Sequence, residues 1–415
     1  MSIQSFIVLL GANQYLRERA LKGAREVSDA LIFIADKNAK FNKNRYFDGA
    51  LQADSNDAQS LIQCIQEKQS LGFKLLSVIP LNDWVLKSAN EINAFFHLPH
   101  LSLEVIENAR NKYKMKCKFK EHGVPSSPFF LLEHEEELAK AIEVIGFPMI
   151  IKPYDFGGSG GVYLARNPKE ASEKLALSKA IIAQYKNAFK IAGDKYLIEK
   201  YIDTQEEVSV EVLCFKDKCI TLSVTEKYLS PKPYFSEMAH LVPSHRNLDK
   251  KLNEIAHNAA LCLGIDKGLA HVEIKILKDS YWVIEVGART GGDGILDQVE
   301  RAFGVNPYAL HIASYLGRDL SGFQMPEPKG SAFIGFLKAK EGKIQKIHYP
   351  LIDDLPKELE SIKITAKEGD IAMPPKDWSA REGVMEFYYP HQFFKEKTNL
   401  PLELLQQWSE KIFES

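Results

Sequence analysis

Apolar and polar positions follow two different rhythms along this chain. Over the first hundred residues short apolar runs stand apart: FIVLL (6–10), ALIFIAD (30–36) and LLSVIPL (75–81). A polar, helix-compatible stretch, QYLRERALKGAREVS (14–28), lies between the first two. Buried-looking strands joined through a helix predict βαβ units, so residues 1–110 are expected to form a doubly wound α/β domain with a parallel sheet.

The rhythm changes after GVPSSP (123–128), whose residues favour turns. EHEEELAKAIEVIG predicts a helix ending at Gly146, and FPMIIKPYDFGGSGGVYLARN (147–167) predicts a strand, a glycine-rich loop and a second strand. A helix over 167–187 and a strand over 195–202 complete a small α+β lobe, 111–200. From 206 the alternation is strict: EEVSVEVLCFKDKCITLSVTEKY (206–228) predicts an antiparallel hairpin turning near Lys216 to Lys218. A helix over about 248–263, a second hairpin over 271–289 and a broken helix over 294–317 give a larger lobe, 201–320. Short strands and Pro/Gly turns from about 325, closed by the amphipathic stretch PLELLQQWSEKIF, predict a C-terminal subdomain, 321–415, packing on that lobe.

Composition narrows the function classes. Of 415 residues, 45% are apolar and 26% charged, as in ordinary globular proteins that bury a sizeable core. A formal charge of −2 gives no electrostatic footprint for nucleic acid or an anionic membrane. Five scattered cysteines, an odd number without metal spacing, argue against a disulfide framework and fit a reducing, cytoplasmic setting. The opening MSIQSFIVLLGAN lacks a basic segment and holds a five-residue apolar run, so no signal peptide is expected. No run approaches the length of a membrane span.

The second hairpin poses a chemical question. With its turn centred on Asp279, Glu273 falls opposite Glu285. His271, Glu273 and Lys275 share a face with Tyr281, Val283, Glu285, Gly287 and Arg289, while Val272, Ile274, Ile276, Trp282, Ile284 and Val286 take the apolar face. Two carboxylates about 5 Å apart repel by about 3 kcal/mol at an effective dielectric near 20. A bridging divalent cation, a shared proton, or a solvated face in another register each answers that repulsion. Magnesium commonly takes one or two carboxylates and completes its shell with water and phosphate oxygens, which makes a nucleotide its natural companion.

A phosphate site has its own candidates. DFGGSGGV (155–162) has four glycines in five positions, which lets backbone N–H groups approach an anion. It lacks the GK[ST] of a Walker loop and the GxGxxG of a dinucleotide fingerprint, and a mobile surface turn is the competing reading. Lys152, closing the apolar strand MIIK just before that loop, is a candidate phosphate contact. Lys112 in ARNKYKMK competes with neighbouring lysines for a similar role. Glu207, Ser209 and Glu211 share a face of the strand that follows EKYIDTQ.

Taken in order, Lys112, GVPSSP, FPMIIKPYDFGGSGGV, LIEKYI, EEVSVEV and two glutamates twelve apart ending in EVGAR resemble the ATP-grasp superfamily over about 300 residues. YFSEMAHLVPS (234–244) and EVGARTGGDGI look most like its L-amino-acid ligase branch, which makes dipeptides and related amides. The resemblance implies an ATP-grasp fold: an N-terminal doubly wound domain, a small mobile lid lobe and a larger antiparallel-sheet domain. It implies that Lys112 and Lys152 hold ATP phosphates under a lid at Gly158, Ser159, Gly160 and Gly161. Glu199 and the backbone of Tyr201 and Ile202 would meet the adenine, and Glu207 the ribose. Glu273 and Glu285 would bind magnesium, with manganese as a substitute. Arg289 would stabilise the transferring phosphate, and His240 and the Gly291–Gly292 turn would lie near amino-acid substrates. Many members carry an asparagine two positions after the second glutamate; here Gly287 stands there. The implied partners are a small carboxylate and a small amine, with homodimers frequent among relatives. The competing readings are an ATP-grasp enzyme acting on formate, bicarbonate or an aminoribotide, and a nucleotide-binding regulator without catalysis.

Overall fold

The computed structural model describes residues 4–12, 17–38, 46–189, 193–390 and 395–415. The N-terminal apolar runs become strands β1 (Ser5–Leu10), β2 (Leu31–Ala35), β3 (Gly49–Leu51) and β4 (Lys74–Pro80) of one parallel sheet, in the order β3-β2-β1-β4. Their side chains are buried on both faces, as parallel strands covered by helices require. The helix expected over 14–28 runs over Glu18–Val27, and positions 14–16 lie outside the described residues.

The next unit is a four-stranded antiparallel sheet. Strands β5 (Phe129–Leu132), β6 (Met149–Pro153), β7 (Tyr163–Ala165) and β8 (Tyr196–Lys200) lie in the order β5-β8-β6-β7. The helices Leu138–Ile145 and Pro168–Phe189 pack on it. Gly146, at φ 67°, ends the first of these in a conformation that favours glycine.

The largest sheet has eight antiparallel strands. It comprises β9 (Glu207–Phe215), β10 (Lys218–Leu229), β11 (Glu237–Val242), β12 (Lys267–Leu277), β13 (Ser280–Gly287), β14 (Gly330–Leu337) and two C-terminal strands, Gly383–Pro390 and Leu359–Ile364. Their order is β13-β12-β9-β10-β11-β14, then Gly383–Pro390 and Leu359–Ile364. One face of β9, β12 and β13 is apolar; Val208, Val210, Val272, Ile274, Val283 and Val286 pack there with the helix Lys250–Cys262. The other face is split. Leu213, Leu222 and Leu269 at one end pack with the N-terminal sheet and the helix Pro307–Tyr315. At the other end the inward positions are Glu207, Ser209, Glu211, His271, Glu273 and Lys275, and charge replaces the apolar core. The C-terminal strands and the helix Leu400–Ile412 enclose a further core around Phe333 and Phe387. Among the described residues no helix is long and apolar enough to cross a membrane.

The second hairpin departs from the expected register in one respect. Glu273 does pair with Glu285, but the register shifts beyond it, so Ile274 faces Val283 and Leu277 faces Ser280 around a two-residue turn. The extra residue is a β-bulge at Ile284. Tyr281 and Val283 therefore take the apolar face expected for Trp282 and Ile284. Ile284 and Glu285, adjacent in sequence, both line the same cavity.

Candidate active site

Between the small sheet and the charged end of the large sheet lies a cavity of about 300 Å³. Lys112, Lys152, Gly158, Ser159, Glu199, Tyr201, Ile202, Glu207, Glu273, Glu285 and Arg289 all line it. Gly160, Gly161, His240 and, of the Gly291–Gly292 turn, Gly291 do not. A Cβ at Gly160 would lie 2.3 Å from the Phe156 ring, and one at Gly161 would lie 2.9 Å from Ser178 Oγ, so these two glycines permit the loop to pack inward. His240 is fully buried behind Glu237 and Asp293, which do line the cavity.

The small-lobe wall is built on a buried carboxylate. Glu199 lies at the end of β8 with Lys152 Nζ at 2.6 Å and Lys116 Nζ at 3.5 Å, and Ser127 Oγ donates to it at 2.8 Å. Burial opposes its charge, but the two lysines outweigh that and bring the carboxyl down to about 2. Lys116 is fully buried, and burial pulls its amine down to about 8 despite Glu199. The Tyr201 N–H donates to Pro148 O at 3.2 Å, so that donor is already used within the protein.

The large-lobe wall inverts this arrangement. Lys227, pointing inward from β10, is enclosed by Glu237 at 2.5 Å, Glu273 at 2.9 Å and Glu207 at 3.4 Å. Burial disfavours its charge, and the three carboxylates more than restore it, holding its pKa well above the usual lysine value. Glu207 also meets Lys275 at 2.9 Å. His271 lies 2.6 Å from Glu211 and 3.2 Å from Glu273; these carboxylates overcome burial and raise it to about 9. Against the burial penalty, Lys227 and His271 keep Glu273 well below the ordinary carboxyl value.

Lys112 and Arg289 join the two walls. Lys112 Nζ donates to Phe156 O at 2.8 Å, beside the glycine loop, and lies 2.9 Å from Glu285. Asn111 caps the helix Lys112–Glu121 by accepting from Tyr113 and Lys114 N–H. Arg289 Nε donates to Asp83 at 2.7 Å, and that carboxylate, overcoming burial, keeps the guanidinium firmly charged. Asp83 is placed by Asn82, which caps the helix Asp83–Phe95. A Cβ at Gly287 would come within 3.1 Å of Arg289 Nε, so the glycine at this position leaves room for the arginine.

Sequence reading missed Lys116, Lys227, Asp293 and Arg381. Lys227 had a signal: a hairpin turning at 217 sets it opposite Glu207, as observed. The other three carry none, since burial of a lone lysine and convergence of residues 293 and 381 are tertiary facts.

The arrangement combines cations facing an anion site, paired carboxylates able to hold a divalent cation, and a glycine loop able to cover both. Comparison with known proteins agrees with that chemistry. The profile of the ATP-grasp domain matches residues 145–311. Alanine–anticapsin ligase of Bacillus subtilis is 28% identical over 225 residues, covering 49% of this chain and 46% of that one. The L-arginine-specific L-amino acid ligase of Bacillus subtilis is 23% identical over 265 residues, covering 61% and 62%. The chain spans about half the length of the curated relatives it matches first. The crystal structure of an L-amino acid ligase from Bacillus licheniformis superposes with a TM-score of 0.81 at 20% identity, covering 99% of this chain and 98% of that one, which shows a shared fold. Residues 145–311 thus match the ATP-grasp domain, and the chain has the ATP-grasp fold.

Proposed function

We propose that this protein is an ATP-dependent carboxylate–amine ligase that joins amino acids through an amide bond. The observation that carries the reading is the opposition of Glu273 and Glu285 in a cavity also lined by Lys112, Lys152 and Arg289. The relatives named as amino-acid ligases support the choice of substrates.

In this reading a carboxylate oxygen of one substrate attacks the γ-phosphorus of ATP, the bond to ADP breaks, and an acyl phosphate forms. The amine of the second substrate then attacks the acyl carbon, the carbon–oxygen bond to phosphate breaks, and an amide, phosphate and a proton leave. Lys152 and Lys112 neutralise phosphate oxygens, and Arg289 presents its planar fork to the transferring group. Glu273 and Glu285 supply the hard oxygen ligands that magnesium or manganese prefers, and such an ion would place further positive charge on the phosphates. Glu199, locked by Lys116 and Lys152, faces the base, and Glu207 the ribose. The lobe over 111–200 acts as the lid, with the Gly157–Ser159 turn excluding water from the acyl phosphate. The segment over 321–415 completes the cavity through Trp378 and Arg381.

The test is a matrix of amino acids supplied pairwise with ATP and magnesium, with ADP release followed and products read by mass. Glu285→Ala and Lys152→Ala should abolish amine-dependent ADP release. Turnover near wild type in both variants would overturn the assignment.

A further inference from the structure

The hairpin of β9 and β10 carries chemistry that the cavity does not use. Cys214 on β9 lies directly across from Cys219 on β10, with their sulfur atoms 3.3 Å apart. The turn between them sets this arrangement. Phe215 pairs with Lys218 around Lys216 and Asp217, and Lys216 takes the left-handed conformation, at φ 54°, that tight hairpin turns use. Along an antiparallel ladder, hydrogen-bonded and non-hydrogen-bonded pairs alternate. The pair that closes a two-residue turn is hydrogen-bonded, so Cys214 and Cys219 take the next, non-hydrogen-bonded position. There the Cα atoms approach to about 4.5 Å and the side chains lie closest. Disulfides span about 4.4–6.8 Å between Cα atoms, so the ladder already holds these two thiols within bonding reach.

The two sulfurs differ in access. Cys214 is fully buried in the core against the helix Lys250–Cys262, and Cys219 is half-buried at the margin of that core. Contact with Cys219, and then burial, hold the Cys214 thiol well above its ordinary value, so Cys214 is the partner that keeps its proton. Its S–H then points at the more accessible sulfur. A half-buried sulfur that receives an S–H contact is placed to attack a small electrophile, and the buried thiol beside it is placed to resolve the product.

We propose that Cys214 and Cys219 form a reversible thiol–disulfide exchange site whose substrate is a low-molecular-weight disulfide. The Cys219 thiolate attacks one sulfur of R–S–S–R. That bond breaks, a mixed disulfide forms on Cys219, and RS⁻ leaves. Cys214 then loses its proton and attacks Cys219 Sγ; the mixed disulfide breaks, a Cys214–Cys219 bond forms, and a second RS⁻ leaves. Two protein thiols are oxidised, one small disulfide is reduced to two thiols, and the two protons released by the protein end on those thiols. An excess of small dithiol runs the sequence backwards. The site stands apart from the ligase reading. Glu207, where β9 enters the cavity, is seven residues from Cys214, about 23 Å along the strand.

The experiment uses the full chain, reduced, freed of reductant and treated with oxidised glutathione without denaturant. By intact mass the wild type should lose two hydrogen atoms and retain little glutathione. Trypsin cuts after Lys216 and Lys218, so the unreduced digest should contain peptide 201–216 joined to peptide 219–227, and added dithiol should separate them. Cys214→Ser should trap a lasting glutathione adduct on Cys219. That adduct should form at least about tenfold faster than any adduct on Cys214 in Cys219→Ser, because the buried thiol is neither accessible nor ionised. If a variant does not fold, the wild-type digest decides alone. The two peptides found apart in folded, glutathione-treated wild type overturn the site, whether Cys219 is unmodified, keeps its adduct or has joined another cysteine. Equal rates of adduct formation in the two folded variants overturn the assigned order of attack.

Discussion

The two walls of the cavity are built from the same residue types with the signs exchanged. On the small lobe a buried glutamate, Glu199, is held by two lysines, Lys116 and Lys152. On the large lobe a buried lysine, Lys227, is held by three glutamates, Glu207, Glu237 and Glu273. Each central charge would be prohibitively costly to bury alone and is stabilised by its neighbours. Each cluster also leaves an excess, positive on one side and negative on the other. In the reading proposed above, a polyanion carrying a divalent cation would lie between them in one orientation, with phosphates toward Lys152 and metal toward Glu273. Binding polarity would then follow from how many partners each central residue has, while the clusters also hold the two sheets' inner faces in place.

The largest effects should come from removing a central charge. Lys227→Met leaves Glu207 with Lys275 and Glu273 with His271 but strips Glu237 of its lysine, and should cost about 3–5 kcal/mol in urea unfolding. Magnesium added with ADP should recover part of that loss by ligand linkage, because a metal restores positive charge beside the same carboxylates. Recovery by ADP alone would mean that the large-lobe wall does not select a cation.

Removing one flanking charge from each wall should separate their roles at slightly smaller cost. Glu285→Gln and Lys152→Met should each lower the rate of ADP release by about 10²–10³, the usual loss when one electrostatic contact to a transition state is removed. Calorimetry of ADP binding distinguishes them. Lys152→Met should weaken ADP with or without magnesium, whereas Glu285→Gln should remove only the magnesium-dependent part. The same response from both variants would break the contrast between an anion wall and a cation wall.

Opposite signs also give the walls opposite pH limits. Glu199 is held down to about 2 from an ordinary 4.5, so its contribution to stability is present above pH 4.5 and is lost as pH falls through about 2. His271 is raised to about 9 from 6.5, so its contribution is present below pH 6.5 and is lost as pH rises through about 9. Each loss should be on the order of 2–3 kcal/mol. Urea midpoints measured from pH 2 to pH 10 should fall on both arms; Glu199→Gln should flatten the acid arm alone and His271→Gln the alkaline arm alone. A variant that flattens the other arm would show that neighbouring groups, not these two, carry the titration.

Sequence patterning made one wall far more legible than the other. Strict alternation on β9 and β12 put Glu207, Ser209, Glu211, His271, Glu273 and Lys275 on one face, and the structure keeps them there. Alternation has a period of two and cannot register an inserted residue, which is why the bulge at Ile284 was invisible and Trp282 and Tyr281 exchanged faces. The small-lobe cluster depends on Lys116, one lysine among several on a polar helix. Its burial arises where that helix crosses β13, where Nζ donates to Val283 O at 3.0 Å. No local pattern marks such a residue, because the face it occupies is decided by a strand 167 positions away. The glycine loop was legible as a turn, but only its packing shows that Gly160 and Gly161 serve the loop's own fold.

The smallest effect tests how the walls are joined. Lys112 begins a helix, its N–H donates to Tyr154 O at 2.8 Å, and its Nζ touches both Phe156 O and Glu285. Asn111 caps that helix, so Asn111→Ala should cost about 1 kcal/mol of stability, and Asn111→Asp should restore it. If the cap also aims Lys112, the alanine variant should raise KM for ATP by about threefold, because a fraction of the cap's free energy then reaches the phosphate contact. Loss of stability with an unchanged KM would mean that Tyr154, Phe156 and Glu285 alone fix the lysine. In that case the joint between the walls belongs to the glycine loop and the hairpin, and the helix merely delivers the side chain to it.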